Sequence, residues 1–165
     1  VFRQLDPGRI ISVIRFLYET QQLSSSNQSS PLDLSTAELN GVDFRKLAGK
    51  KKLLDQISLA GILFDNATFQ GLRMRYVNLS SAELDHTLLS SARLTHSDLS
   101  STVFDHTDVT KTQLRNVTMS SAVMDHTNCA STHLLTVNLS HAELNHVDFS
   151  SAVLFNVSFV KTKLA

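Results

Sequence analysis

The stretch that decides the fold is Ala82–Ser101, AELDHTLLSSARLTHSDLSS, in which each successive block of five residues has Leu in its third place. The same spacing extends in both directions. Counted in steps of five from Leu54 to Leu164, 23 positions hold only Leu, Phe, Met, Val or Cys. Because 42% of the chain is hydrophobic, independent draws would produce such a run about two times in a billion. We call these third places the axial positions.

A period of five fits neither the α-helix nor a plain β-strand, but it fits short extended segments joined by corners. In an extended segment the first and third residues point the same way, so each block turns two side chains inward. A second period gives the number of sides, because a dipeptide ending in histidine recurs every 20 residues. Its copies are Asp85-His86, Asp105-His106, Asp125-His126 and Asn145-His146. Twenty residues are four blocks, which predicts a coil with four sides.

The blocks resemble the pentapeptide-repeat family, whose pattern is written A(D/N)LXX. The best matches are AELDH, SDLSS, VNLSS, AELNH and VDFSS. The resemblance implies an all-β solenoid, a right-handed quadrilateral parallel β-helix of about six to seven four-sided coils. It implies little about function, although one branch of the family resembles duplex DNA in shape and charge and binds type II topoisomerases.

Three regions are expected along the chain. Residues 1–23 are predicted to form an amphipathic α-helix that caps the solenoid, with Asp6 as its N-cap before Pro7. Residues 24–31 are rich in Ser and predict a linker. Residues 32–165 are expected to form the β-helix. A loop excursion is expected near residues 46–53, because the axial register there falls on Gly49 and the next inward place on Lys52; a kinked but continuous coil is the alternative. The segment FLYE in the helix also resembles a subset of the family that carries a helical N-terminal lead.

The bulk composition narrows the class of function. The chain has 15 Lys and Arg and 15 Asp and Glu, a formal net charge of zero. This balance argues against a nucleic-acid-binding protein and against the acidic DNA mimic that binds topoisomerases. The stretch RIISVIRFLY is too short to span a bilayer. The single cysteine, Cys129, falls at an axial position, which predicts a buried and inert thiol.

The histidine dipeptides suggest chemistry, because Asp beside His is common in catalytic and metal sites. In the four-sided register, however, they stack at an outward corner where no nucleophile or oxyanion pocket converges on them. We therefore predict no enzyme activity and no resident cofactor. The histidines of the four dipeptides remain weak candidates for metal ligands, since imidazoles about 5 Å apart can share an ion. The other interpretation is a solvated corner repeated by duplication. The candidates are His86, His106, His126 and His146.

A column of threonines follows the histidines. Thr87, Thr107 and Thr127 occupy the first places of their blocks and should point inward.

A second candidate surface is the side that stacks LRMRY, ARLTH, TQLRN, THLLT and AVLFN. Its outward residues are basic at first and apolar further along the chain. They are Arg73, Arg75, Arg93, Arg115, Leu135, Val153 and Phe155. Arginines on a flat face suit an acidic partner, and exposed apolar residues indicate a contact surface. The sequence therefore predicts a non-enzymatic structural or interaction module that presents ordered side-chain columns to a protein partner, with a possible homodimer through its C-terminal end.

Overall fold

A computed structural model describes residues 7–23 and 34–165. They form a parallel β-solenoid of about six turns, which confirms the fold class expected from the sequence. Helix α1 (Pro7–Glu19) precedes the solenoid, and a short helix α2 (Phe44–Ala48) followed by a 3-10 turn (Gly49–Lys51) lies in its first coil. The strands of the described residues are β1 (Leu53–Asp55), β2 (Arg73–Arg75), β3 (Arg93–Thr95), β4 (Gln113–Thr118), β5 (Val123–Asp125), β6 (His133–Asn138), β7 (Glu143–Asn145), β8 (Val153–Ser158) and β9 (Lys163–Leu164).

The coils stack with a register of 20 residues. Met74 in β2 pairs with Leu94 in β3, and the same parallel register continues to the end of the rod. One face is a six-stranded sheet in the order β1-β2-β3-β4-β6-β8, which we call the wall. The face two blocks away along each coil contains the shorter sheet β5-β7-β9. The other two faces pair through single bridges such as Thr68 to Leu88 and Asn78 to Asp98. In the later coils β4, β6 and β8 extend round the corner onto the second of these faces, where Thr118 pairs with Asn138. Four pairing faces confirm the four-sided coil.

The axial side chains fill the interior. From Leu54 to Leu144 each axial residue is buried, which removes a continuous ladder of apolar surface from water and is the main stabilising term of the fold. Three buried aromatic rings pack against one another inside the first coils, with centroids 4.4 to 5.5 Å apart. They belong to Phe44, Phe64 and Phe69. In the last coil the axial side chains of Leu154, Phe159 and Leu164 are exposed.

The inward threonines satisfy backbone groups inside the rod. The Oγ1 of Thr87 donates to the carbonyl oxygen of Phe64 at 3.0 Å, and that of Thr102 donates to Leu79 at 2.9 Å. Thr107, Thr112, Thr127 and Thr162 each make the same bond to the residue 23 positions earlier. Except for Thr162, which is half-buried in the last coil, these threonines are buried, and each hydroxyl has the partner that buried polar groups require. The inward direction predicted for the threonine column is what the structure shows.

The Asp or Asn of the repeat pattern shapes the corners. The Oδ1 of Asp98 accepts from the backbone N–H of Ser100 at 2.9 Å, and Asn138 accepts from Ser140 at 3.0 Å. Such side-chain turns hold the backbone as it leaves the strand. The fifth residue of a block then takes a left-handed conformation, with φ of 57° at Ser101 and 49° at His106.

The first coil is longer than the others. Glu38 pairs with Leu63 and Asp43 with Thr68, a spacing of 25 residues instead of 20. The five extra residues are accommodated by α2 and the 3-10 turn. Asp43 caps α2 by accepting from the backbone N–H of Arg45 at 3.0 Å. Gly49 and Lys52 are both exposed and lie outside the core.

Helix α1 packs on this first coil through one apolar face. Ile10, Ile11 and Ile14 are buried in the same core cluster as the axial residues. The hydroxyl of Tyr18 accepts from the backbone N–H of Asp55 at 3.1 Å, and the guanidinium of Arg15 donates to the carbonyl of Lys46 at 2.7 Å. The expected N-cap at Asp6 and the linker at residues 24–31 lie outside the described residues. Within the described ranges, no helix combines the length and hydrophobicity needed to cross a membrane.

Candidate functional site

The four histidines of the 20-residue repeat form a stacked column along one corner. Their ring centroids are separated by 5.3, 4.9 and 4.6 Å from the first pair to the last, and the rings are tilted by only 6 to 11° from parallel. Each residue has a positive φ at the corner, which turns its side chain out of the rod. The members of this histidine column are His86, His106, His126 and His146. All four rings are exposed.

A row of carboxylates runs beside the histidine column. The Nδ1 of His106 lies 2.6 Å from Oδ1 of Asp105, whereas the Nδ1 of His86 lies 3.7 Å from Oδ1 of Asp65 in the preceding coil. Sequence reasoning missed Asp65 as a member of this row, although FDN at 64–66 lies one period before LDH at 84–86.

The carboxylates repel one another. The pKa of Asp85 is raised above its ordinary value, mainly because burial removes water from its charged form and also because Asp105 lies close by. Among the described residues, the Oδ1 atoms of Asp85 and Asp125 are buried and have no hydrogen-bond partner. The row is therefore held at some cost in folding free energy.

Two sets of three side chains bring possible metal-binding atoms within 4.8 Å of one another. One set is Asp105 with His106 and His126, and the other is Asp125 with His126 and His146. Each offers two imidazole nitrogens and one carboxylate oxygen, which is a donor combination that zinc accepts. The four histidines proposed from the sequence thus lie together, but His86 is in neither set.

The wall carries the second group of candidate residues. Arg73 and Arg93 are register partners on adjacent strands, and with Lys50 and Lys52 they line a shallow groove. Arg75 forms an ion pair with Asp55 on the neighbouring strand. Among the outward residues of the six wall strands, which are all described, Asp55 is the only acidic one.

The outward positions of the wall that hold arginine in the earlier coils hold apolar residues toward the last coil. Arg115 pairs in register with Leu135, and Leu135 pairs with Phe155. Phe155 is 65% exposed and Val153 54% exposed, whereas Leu135 is half-buried. The wall therefore joins a basic part and an apolar part on one flat surface.

A polar corner borders the wall. The rings of Tyr76 and His96 stack with centroids 5.2 Å apart, and a ring nitrogen of His96 lies 3.0 Å from the amide nitrogen of Asn116. The sequence did not predict the contact between His96 and Asn116.

Cys129 lies inside the rod. Its side chain is buried, and burial raises the pKa of the thiol to about 12, with smaller contributions from Asp148 and Asp108. A thiol with this pKa is almost entirely protonated near neutral pH, so it is a poor nucleophile and metal ligand.

Comparison with known proteins agrees with this architecture. A family model described as pentapeptide repeats matches eight copies, over residues 82–120 and 136–165. The crystal structure of a pentapeptide repeat protein, Rfr23, from the cyanobacterium Cyanothece 51142 is 20% identical, with a TM-score of 0.68 over 74% of this chain and 96% of that one.

Two further solved structures are less similar in shape. A pentapeptide repeat protein from the Arabidopsis thaliana thylakoid lumen is 20% identical, with a TM-score of 0.46 over 74% of this chain and 77% of that one. HetL from Nostoc sp. strain PCC 7120, a pentapeptide repeat protein involved in heterocyst differentiation regulation, is 15% identical, with a TM-score of 0.37 over 79% of this chain and 81% of that one. No curated protein sequence matches the chain significantly.

The stacked four-sided coils and the matched repeats define a β-solenoid built of five-residue units. Over residues 82–120 and 136–165 these units match the pentapeptide-repeat family, as the resemblance in the sequence implied.

Proposed function

We propose that this protein is a non-enzymatic interaction module that binds another protein through the wall. The observation that supports this best is the pair Val153 and Phe155, which stand on the outer face of β8 with more than half of their surface in water. Large apolar side chains that adjoin on a flat surface favour burial against a partner. Leu135, in the same column with a coil on each side, is still only half-buried, so an outward position on the wall keeps part of its surface in water.

The charge of the wall indicates the chemistry of the partner. Arg73, Arg93 and Arg115 lie on the same surface as the apolar residues, and Asp55 is engaged with Arg75. A matching partner surface has an apolar patch flanked by aspartate or glutamate. Electrostatic attraction would increase the association rate, and the buried apolar contact would set the lifetime of the complex.

Capture with matched variants tests this proposal. The wild-type chain should retain a partner that is lost with Phe155→Ser and with Arg93→Glu. The controls are Leu88→Ser, which removes an exposed leucine from another face, and Lys111→Glu, which reverses a charge at an exposed corner. The captured protein, once purified, should bind with an affinity that decreases at high salt. Equal capture by all four variants would contradict a role for the wall.

A homodimer through the C-terminal end is the second candidate for the partner. Leu154, Phe159 and Leu164 occupy axial positions, yet they are exposed beside Phe155 in the last coil. A second copy with the same surface would bury them in a symmetric contact. Light scattering of residues 1–165 should then give the dimer mass, and both Phe155→Ser and Leu164→Ser should reduce it to the monomer. A wild-type monomer at about 100 μM would exclude this candidate and leave the heterologous partner.

DNA mimicry toward a topoisomerase is not proposed. That function needs an acidic surface along the rod, whereas the wall exposes arginines and the chain has a formal net charge of zero.

A further inference from the structure

The end of the histidine column contains a buried oxygen that two imidazoles approach. Oδ1 of Asp125 has essentially no contact with solvent, and among the described residues no group donates a hydrogen bond to it. Nδ1 of His126 lies 2.9 Å from this oxygen, without the alignment of a hydrogen bond, and Nδ1 of His146 lies 3.7 Å from it. Three potential ligands thus surround a point where a positive charge would be stabilised.

We propose that Asp125, His126 and His146 bind one divalent first-row transition-metal ion, for which zinc is the test ion. Two imidazole nitrogens and one carboxylate oxygen are common zinc ligands. An ion between them would also satisfy the buried Oδ1 of Asp125, whose lack of a donor is otherwise unfavourable. This proposal is independent of the wall, because the histidine column lies along a different face of the coil.

The backbone holds the three ligands at a suitable separation. β5 and β7 pair in parallel with Asp125 opposite Asn145, so His126 and His146 occupy the same corner of successive coils. Their donor atoms and that of Asp125 all lie within 4.8 Å of one another. Ligands bound to tetrahedral zinc are roughly 3.3–3.5 Å apart. Nδ1 of His126, now 2.9 Å from Oδ1 of Asp125, would therefore move slightly away from it, and the wider pairs would close by about 1 Å.

The histidine rings are free enough to make this adjustment. The side chains of His126 and His146 are 50% and 67% exposed, so they can rotate without repacking the core around Met124 and Leu144. The corner is convex, and water would complete the coordination of the ion. This predicts an exchangeable site with open positions, unlike the closed four-ligand sites that stabilise small domains.

The adjacent set, Asp105 with His106 and His126, is the weaker choice. Oδ1 of Asp105 already forms a 2.6 Å hydrogen-bond contact with Nδ1 of His106, so a metal would have to displace an existing partner. The two sets share His126, and only one of them can use its Nδ1 at a time. We therefore expect a single ion per chain.

Titration calorimetry of the full chain with zinc chloride, in a buffer that does not bind metal, tests the site. We expect one ion per chain and an affinity at least tenfold lower in both His126→Ala and His146→Ala. His86→Ala, which changes the same column outside both sets, should alter the affinity less than twofold. His106→Ala should likewise have little effect, and circular dichroism would show that each variant retains its fold.

The variants also define the results that would overturn the proposal. Loss of binding with His106→Ala but not with His146→Ala would assign the ion to the other set, Asp105 with His106 and His126. Binding that is unchanged in the His126→Ala/His146→Ala double variant would assign the zinc to other exposed histidines, such as His133 or His141. No heat of binding by the wild-type chain at about 100 μM zinc would exclude a site at this corner.

Discussion

At the scale of single residues, the rod depends on polar groups placed where the coil needs them. Inward threonines donate to backbone carbonyls of the preceding coil. Asp or Asn at the second position of a block accepts from a backbone N–H at the next corner. Both arrangements use a side chain to pair backbone groups that the sheet ladder leaves available. The acidic row beside the histidine column is an exception, because two of its buried oxygens lack donors.

Thr107→Val tests the value of an inward hydroxyl. Valine keeps the shape of threonine but cannot donate to the carbonyl of Leu84, so we expect a loss of about 1 kcal/mol in the free energy of unfolding. Thr95→Val makes the same chemical change on the outer face of the wall, where the side chain is half-buried. Urea denaturation should show a change within about 0.5 kcal/mol for that control. Equal effects of the two substitutions would show that the inward hydrogen bond contributes nothing specific.

Asp85→Asn should stabilise the protein at neutral pH. The pKa of Asp85 is raised in the folded state by burial and by Asp105, so the folded state favours the protonated carboxyl. Ionised Asp85 therefore costs stability at pH 7, and the cost disappears as the pH falls toward and below its ordinary pKa of 3.8. Because Asp85 is only partly buried, we expect a gain of only about 0.5 kcal/mol at pH 7.

The same substitution should give no gain at pH 3, where Asp85 is protonated in both the folded and the unfolded states. Thermal denaturation at pH 7 and pH 3 measures the difference. Asp98→Asn is a matched control, because Asp98 lies on another face and an asparagine oxygen can still accept from Ser100. Stabilisation of equal size at both pH values would show that charge is not the cause.

At the scale of elements, α1 and α2 form the most irregular part of the molecule. The five extra residues of the first coil fold into α2 and the 3-10 turn, and α1 packs against them. α1 supplies buried isoleucines to the same cluster that contains the axial residues. We infer that α1 covers the first coil, which would otherwise expose its apolar interior and its unpaired strand edge to water.

Ile14→Ala tests this covering role. Ile14 has no exposed surface, so its truncation should lower the free energy of unfolding by about 2–3 kcal/mol. Val13→Ala, one residue earlier on the same helix, removes a side chain that is 37% exposed and should cost less than about 1 kcal/mol. Denaturation monitored by circular dichroism would compare the two. If Ile14→Ala costs no more than Val13→Ala, the helix does not stabilise the coil beneath it.

At the scale of the whole molecule, spacing alone was enough to predict the solenoid. The axial and 20-residue periods set the direction of each side chain, so the buried ladder, the inward threonines and the stacked histidines could all be foreseen. Hydrogen bonds such as that of His96 with Asn116 could not, because they depend on rotamers rather than on register. The helical form of the first-coil insertion was also hidden, since KLAGKKK interrupts the period without indicating how its residues fold.

The rod should be least stable at its last coil. Each coil packs mainly on its neighbours, so stability is approximately a sum of local terms. The axial side chains of Met74 and Leu94 are buried between coils, whereas Leu154 is 46% exposed and Leu164 74% exposed. We therefore expect amides of β8 to exchange with solvent at least tenfold faster than those of β2 and β3, through local opening of the last coil.

Hydrogen exchange followed by mass spectrometry, on residues 1–165 at low micromolar concentration, measures this gradient. Repeating it at a hundredfold higher concentration separates the stability of the coil from self-association, because a dimer through the C-terminal end would slow the exchange of β8 and leave that of β2 unchanged. Uniform exchange rates from β2 to β8 at low concentration would mean that the rod opens as one cooperative unit. In that case coupling between coils outweighs the exposure of the last one.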